Sequence, residues 1–150
     1  MGALIEAPHF QPRLSGALNL AVLCGYWGLP HSEVERVLDV VGLSSRDHKR
    51  RFRHYSLGMK QRLGVAAALL GNPRVVILDE PTNGIDPESI VAMRHIVRRL
   101  AAAGSAVLLS SHLLGEVEQV ADRVGILLRG NLVAEGTVEE LQRTAQRAHH

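Results

Sequence analysis

Two adjacent carboxylates, Asp79 and Glu80, follow directly on the aliphatic run Val75-Val76-Ile77-Leu78 and precede Pro81-Thr82. Carboxylates carried to the end of a buried strand are costly unless a cation is held there. An Asp at the C-terminal edge of a parallel sheet can hold Mg²⁺ through water. An adjacent Glu can orient or deprotonate an attacking water. An isolated Asp–Glu pair more often caps a loop or pairs with surface Lys or Arg. The four aliphatics before it and the Pro-Thr after it favour the metal-and-water chemistry here.

Two further stretches carry chemistry. In "HYSLGMKQRLGVAAALL" (54–70), Ser56 caps a helix and Gly58 keeps its first turn open. The N-terminal amides of such a helix are a ready anion site. Lys60 and Arg62 lie near that end, where cations are unfavourable unless an anion is bound. An ordinary capped helix with solvated basic residues explains the stretch equally well. In "LLSSHLL" (108–114), His112 leaves a buried strand at the same sheet edge as Asp79. It is either a polar residue ending a strand or a contact to a phosphoryl oxygen or the attacking water. The company of Asp79 and Glu80 favours the second.

Together these stretches resemble the nucleotide-binding domain of ATP-binding-cassette (ABC) transporters. "YSLGMKQR" is similar to that family's signature sequence, "VVILDEPTNGID" to its Walker B strand and D-loop, and "SSH" to its switch histidine. "GALIEAPHFQPRLSGALNL" is similar to the segment opening the family's helical subdomain, with the flavour of drug- and antibiotic-export ATPases. The resemblance implies ATP and Mg²⁺ as cofactors. Asp79 would hold the metal, Glu80 would polarise the hydrolytic water, and His112 would sense the γ-phosphate. Ser56 and Gly58, with Lys60 and Gln61 in the same turn, would face ATP held by a second ABC ATPase domain. Asp86 would cross that dimer interface, and Glu6 would stand where a glutamine links metal to the transmembrane permease partner. The implied place is the cytoplasmic face of a membrane, peripheral, through that permease. The implied function is ATP hydrolysis coupled to export.

The match departs from the family pattern at several points. Leu57 and Met59 replace the Gly and Gln of the commonest signature, and Glu6 adds charge in place of the glutamine. The phosphate-binding loop G-x-x-x-x-G-K-[ST] requires a Gly-Lys pair, and none of the 14 glycines is followed by lysine. No adenine-stacking aromatic precedes such a loop. The expectation is therefore an N-terminally truncated domain, inactive alone and not a self-sufficient fold. Two alternatives stay open: a non-catalytic regulatory module pairing with a complete ABC ATPase, and a soluble non-transport ABC protein using the basic stretch 49–62 on nucleic acid. The latter lacks the aromatic interleaving that base stacking needs, so no nucleic-acid partner is expected.

These residues need a scaffold, and the pattern supplies one. A helix begun by Ser15 spans 15–28, and Ser32 with Glu35 reads as a capping box for "PHSEVERVLDVVGL", with Gly42 ending it. Residues 44–54 read as a basic loop. Strand 75–78, a helix capped by Asp86-Pro87 and ended at Gly104, and the strand "AVLLSS" make a buried parallel pair. A short helix at 113–121 precedes two strands about a Gly130-Asn131 turn, and Thr137 with Glu140 caps a last helix. The fold class is α/β and P-loop NTPase-like, but partial. A helical signature subdomain (1–72) precedes the C-terminal part of a parallel-sheet core (73–136), with a helix and tail at 137–150.

Composition sets the outer bounds. With 46% hydrophobic and 21% charged residues the chain can bury a core. A net charge of +2 does not announce a nucleic-acid binder. The single cysteine, Cys24, excludes an internal disulfide and suits a reducing compartment. No apolar run approaches the ~18 residues of a membrane span. "MGALIEAPHF" lacks a signal-peptide pattern, and Glu6 breaks the myristoylation pattern.

Overall fold

The computed structural model describes residues 1–4 and 9–148. Its central strand is the aliphatic run: β2 (Val75–Leu78) carries Val76 and Leu78 with no solvent exposure. Helix α5 (Pro87–Ala102) starts as the sequence predicts, with Asp86 capping the Ser89 N–H and Pro87 at the first helical position. Its face Met93, Ile96, Val97 and Leu100 is buried. β3 (Ala106–Leu109) then returns parallel to β2, with Val75 opposite Ala106 and Leu78 opposite Leu109.

A third strand departs from the expected helical layer at 1–72. Gly2–Leu4 forms β1, parallel to β2, with Gly2 opposite Val76 and Leu4 opposite Leu78. The sheet order is β1-β2-β3. Three residues are too short for any periodicity to show. What seats them is close approach, because a side chain on Gly2 would strike the Ala68 carbonyl of the overlying helix.

That helix is α4 (Leu57–Leu69), which packs on β1 and β2 while α5 packs on β3. Both cover the face carrying Leu4, Val76 and Leu78. The other face, with Val75 and Leu108, is exposed. β3 is therefore not the fully buried strand expected: a parallel strand is dry on both sides only where helices cover both faces.

The helical layer follows the predicted order, with two corrections. α1 (Gly16–Trp27) is capped by Ser15 and ended by Gly28 in the left-handed conformation. α2 (Ser32–Val40) has His31 at its N-cap with no side-chain cap bond, so Ser32 is already helical and the expected capping box with Glu35 does not form. Residues 44–54 are not a loop. Ser44 caps the short α3 (Ser45–Lys49) by accepting from the Asp47 N–H, and a 3₁₀ turn follows at Phe52–His54. α1, α2 and α4 pack together over Leu20, Cys24, Val37, Leu38 and Leu63.

Met1–His112 form one compact unit and Leu113–His150 a second. The second holds α6 (Leu114–Val117), the antiparallel pair β4 (Val124–Leu128) and β5 (Asn131–Gly136), and α7 (Val138–Ala148). The hairpin turn is Arg129-Gly130, both with positive φ, one residue before the expected Gly130-Asn131. That is the pair of left-handed positions a two-residue type I′ turn demands. The box capping α7 forms as predicted: Glu140 N–H donates to Thr137 Oγ1, and Thr137 N–H donates to Glu140 Oε2. Among the described residues no helix is long and apolar enough to cross a membrane.

Candidate active site

The ladder between β1 and β2 runs one step past the strand, where the Asp79 N–H donates to the Leu4 carbonyl at 2.9 Å. Asp79 is thereby fixed at the sheet edge with its side chain exposed, and Glu80 is half-buried beside it. From β3, the Ser110 N–H donates to the Leu78 carbonyl, which brings the Ser110 hydroxyl over the same edge. That hydroxyl donates to Asp79 Oδ1 and accepts from the Glu80 N–H at 2.9 Å. One side chain thus ties both acidic residues together.

Glu80 has φ +46°, a left-handed backbone uncommon outside glycine. Such a conformation costs on the order of 1 kcal/mol and persists where its surroundings enforce it. Here the Ser110 bond to the Glu80 N–H and the Asn83 N–H donating to the Glu80 carbonyl supply that enforcement. Two residues beyond Ser110, His112 places Nδ1 at 3.0 Å from Glu80 Oε2. With the proton on Nδ1 facing the carboxylate, Nε2 is the nitrogen left for an incoming group.

A second constellation lies at the N-termini of α4 and α5. Ser56 is exposed and caps α4, its Oγ accepting from the Met59 N–H at 3.2 Å. That leaves its hydroxyl proton as a donor toward solvent. Gly58 is buried against α5, and the carboxylate of Asp86 is held by Ser89 through Oγ–H to Oδ1 (2.6 Å) and N–H to Oδ2 (3.1 Å). These bonds hold the Asp86 carboxyl below the usual carboxylate range, the Ser89 hydroxyl contributing most.

The basic residues of α4 are partly committed elsewhere. Lys60 Nζ lies 5.3 Å over the Phe52 ring, a cation–π placement, and Arg62 Nη1 donates to the Gly42 carbonyl at 3.2 Å. Gln61 is half-buried in the same turn. Glu6 lies outside the described residues.

The structure therefore brings Asp79, Glu80 and His112 to one sheet edge, and gathers Ser56, Gly58 and Asp86 at two helix starts. Sequence reasoning missed Ser110 and Ser89. Ser110 stands two residues before His112 in the same "SSH" run, and Ser89 stands at N3 after an Asp N-cap. Both signals were present. A hydroxyl announces its partner only once the partner is in place.

The donor set suits Mg²⁺ held mainly by water and phosphate. One exposed carboxylate with one oxygen already engaged by Ser110 is what such an ion takes from protein. Among the described residues no cluster of three or more His, Cys, Asp or Glu forms an all-protein cage.

The family model described as "AAA domain, putative AbiEii toxin, Type IV TA system" matches residues 29–118. The chain is 43% identical over 145 residues to the bacitracin transport ATP-binding protein BcrA of Enterococcus faecalis, covering 95% of this chain and 47% of that protein. It is 41% identical over 135 residues to the lantibiotic transport ATP-binding protein SrtF of Streptococcus pyogenes, covering 90% of this chain and 58% of that one. The chain thus spans about half the length of the curated relatives it matches. A solved structure of an ATP-binding subunit of an ABC transporter superposes with a TM-score of 0.76 at 31% identity, covering 97% of this chain and 62% of that one.

Proposed function

Because this chain belongs to the AAA-domain ATPases of the ATP-binding-cassette type, we propose that it supplies the hydrolytic edge and the signature helix of an ATP site that drives export. The observation that carries the reading is the Glu80–His112 contact at 3.0 Å, tied to Asp79 through Ser110. Glu80 accepts the proton of the water that attacks the γ-phosphate. His112 orients the Glu80 carboxylate through Nδ1 and offers Nε2 to the phosphoryl oxygens. Mg²⁺, when bound at Asp79, neutralises charge on the phosphate oxygens. The exposed Ser56 cap of α4 faces the nucleotide of a second ATPase domain, with Asp86 beside it across the packed first turns of α4 and α5.

None of the 14 glycines precedes a lysine, so the cradle for the β- and γ-phosphates comes from outside these 150 residues. The named relatives handle bacitracin and lantibiotics, which points to a peptide antibiotic as the exported substrate class. A membrane-spanning permease subunit is the partner such a role requires, and it would hold the chain at the cytoplasmic face.

The test joins this chain to a phosphate-loop segment carrying G-x-x-x-x-G-K-[ST] from a family member and measures MgATP hydrolysis. Hydrolysis that depends on Glu80 is expected. A chimera that binds MgATP yet turns it over equally well with Glu80→Gln overturns the reading. A second reading, a module that completes another ATPase, draws on the preformed and exposed Ser56 cap. It predicts that the isolated chain stimulates a complete family member without binding ATP itself.

A further inference from the structure

Gly58 stands in the signature run, where resemblance makes it a phosphate contact. The packing gives it another reason to be glycine. A Cβ at position 58 would strike the Ser89 hydroxyl and sit 2.6 Å from Ser89 Cβ, and it would lie 3.4 Å from Asp86 Oδ1. The first turns of α4 and α5 are therefore in direct contact, with no room for one added carbon.

Ser89 lies between them, 8% exposed. Its backbone N–H and its hydroxyl each bond a different oxygen of Asp86, so the carboxylate has no freedom to rotate while both are made. An N-cap Asp needs only the first of these bonds. The second fixes the carboxylate in plane and seats the hydroxyl against Gly58.

We infer that Ser89 is a positioning residue. It locks the Asp86 carboxylate and, through its contact with Gly58, joins that carboxylate to the phosphate-facing turn of α4 as one rigid piece. A change at Asp86 is then felt at Gly58 and Met59 without passing through the sheet. The linkage takes its functional meaning from the proposed ATP site, where Asp86 and Ser56 face the same second domain.

The lowered Asp86 pKa agrees with this geometry. Its causes are the hydrogen bonds from Ser89 and backbone groups of the cap, opposed by partial desolvation, with no charged side chain among them.

The test is carbon- and nitrogen-detected NMR on the full chain as a function of pH. In the unsubstituted protein Asp86 titrates below the ordinary carboxylate range, and the Gly58 and Met59 amides follow its curve. Asp86→Asn should remove that inflection from both amides, which identifies the source. Ser89→Ala keeps the backbone cap bond and the space at Gly58, yet should raise the Asp86 midpoint and uncouple the two amides. Gly58 and Met59 amides indifferent to Asp86 titration in the unsubstituted chain would sink the inference. So would a Ser89→Ala protein with an unchanged Asp86 midpoint and intact coupling. Absence of ATP hydrolysis in the chimera leaves these spectra untouched and counts against the ATP-site reading alone.

Discussion

Glu80 Oε2 and His112 Nδ1 stand 3.0 Å apart across the ends of two parallel strands. β2 and β3 are adjacent and in register, so residues just past Leu78 and Leu109 arrive at the same edge. The contact orients the carboxylate that would take a proton from water. In an assembled ATP site, Glu80→Gln keeps the shape and loses the base. We expect turnover to fall by about 10²–10⁴-fold while MgATP binding changes little. Single-turnover kinetics beside equilibrium binding checks this, and near-normal turnover would remove Glu80 from its role.

Asp79→Asn should act on the ion rather than on the proton. The amide keeps an oxygen but removes the charge that attracts Mg²⁺. The expected signature is a raised Mg²⁺ requirement, partly relieved by excess metal, where Glu80→Gln shows no such relief. Titrating Mg²⁺ at fixed ATP separates the two variants. Identical metal dependence would place Asp79 outside the metal site.

Glu33 ties the helical layer to the entry of the sheet. It receives Arg36 through Nε at 2.8 Å and Nη2 at 2.7 Å and the Gly71 N–H at 2.9 Å, while Arg36 also donates to the Leu69 carbonyl. The Arg36 bonds, opposed by burial and aided by Gly71, hold the Glu33 carboxyl below its usual range. A depressed carboxylate contributes stability present above its unfolded pKa of about 4.3 and lost as pH falls through the folded value. Glu33→Gln should cost about 1–2 kcal/mol at neutral pH and flatten the acid limb of a urea-denaturation series. An unchanged acid limb would show the network to be idle.

Some of this architecture is written locally and some is not. Val75–Leu78, the Asp86-Pro87 start and the Thr137–Glu140 box declare themselves because each signal lies within a few residues of what it controls. β1 does not, since its three residues become a strand only through Val76 beside it and Ala68 above it. Ser44 and Asp47 make α3 where the composition predicts a basic loop, because local capping outweighs polar character. The carboxylates and His112 are legible by type and spacing. Ser110 and Ser89 are legible only by place, two residues before His112 and three after Asp86. The partners of Ser110 lie on another strand, and the contact of Ser89 with Gly58 needs α4 packed on α5.

Tyr55 offers an alkaline counterpart to Glu33. Its hydroxyl donates to the Asp47 carbonyl at 2.6 Å, and its ring fills the space beside Gly16. Burial, reinforced by the Asp47 charge, pushes its pKa up to about 12. A phenol raised above its unfolded value contributes stability that is whole below about pH 10 and is lost as pH rises through the folded value. Tyr55→Phe should cost about 1 kcal/mol at neutral pH and remove the fall in stability over that alkaline window. Thermal midpoints followed between those pH values decide it, and an identical alkaline fall in both proteins would exclude Tyr55 as its source.

Ser110 gives the sharpest test of how the hydrolytic edge is built. Its hydroxyl accepts from the Glu80 N–H and donates to Asp79 Oδ1, so one oxygen atom serves both the strained backbone and the candidate metal carboxylate. Ser110→Ala removes both bonds and little volume. The Glu80 N–H then turns to water, and its left-handed φ of +46° loses one restraint. Global stability should change by no more than about 1 kcal/mol, because the edge is exposed and water replaces the lost partner. Turnover in the assembled site should fall further than that suggests, by about tenfold or more, because a base displaced from its reacting geometry loses rate steeply. Ser110→Thr restores the hydroxyl and should recover most of the rate, whereas Ser110→Val, of similar shape without it, should not. Chemical denaturation and single-turnover hydrolysis on all three variants separate the possibilities. Equal rates for Thr and Val would mean that shape, not the hydrogen bond, is what position 110 provides.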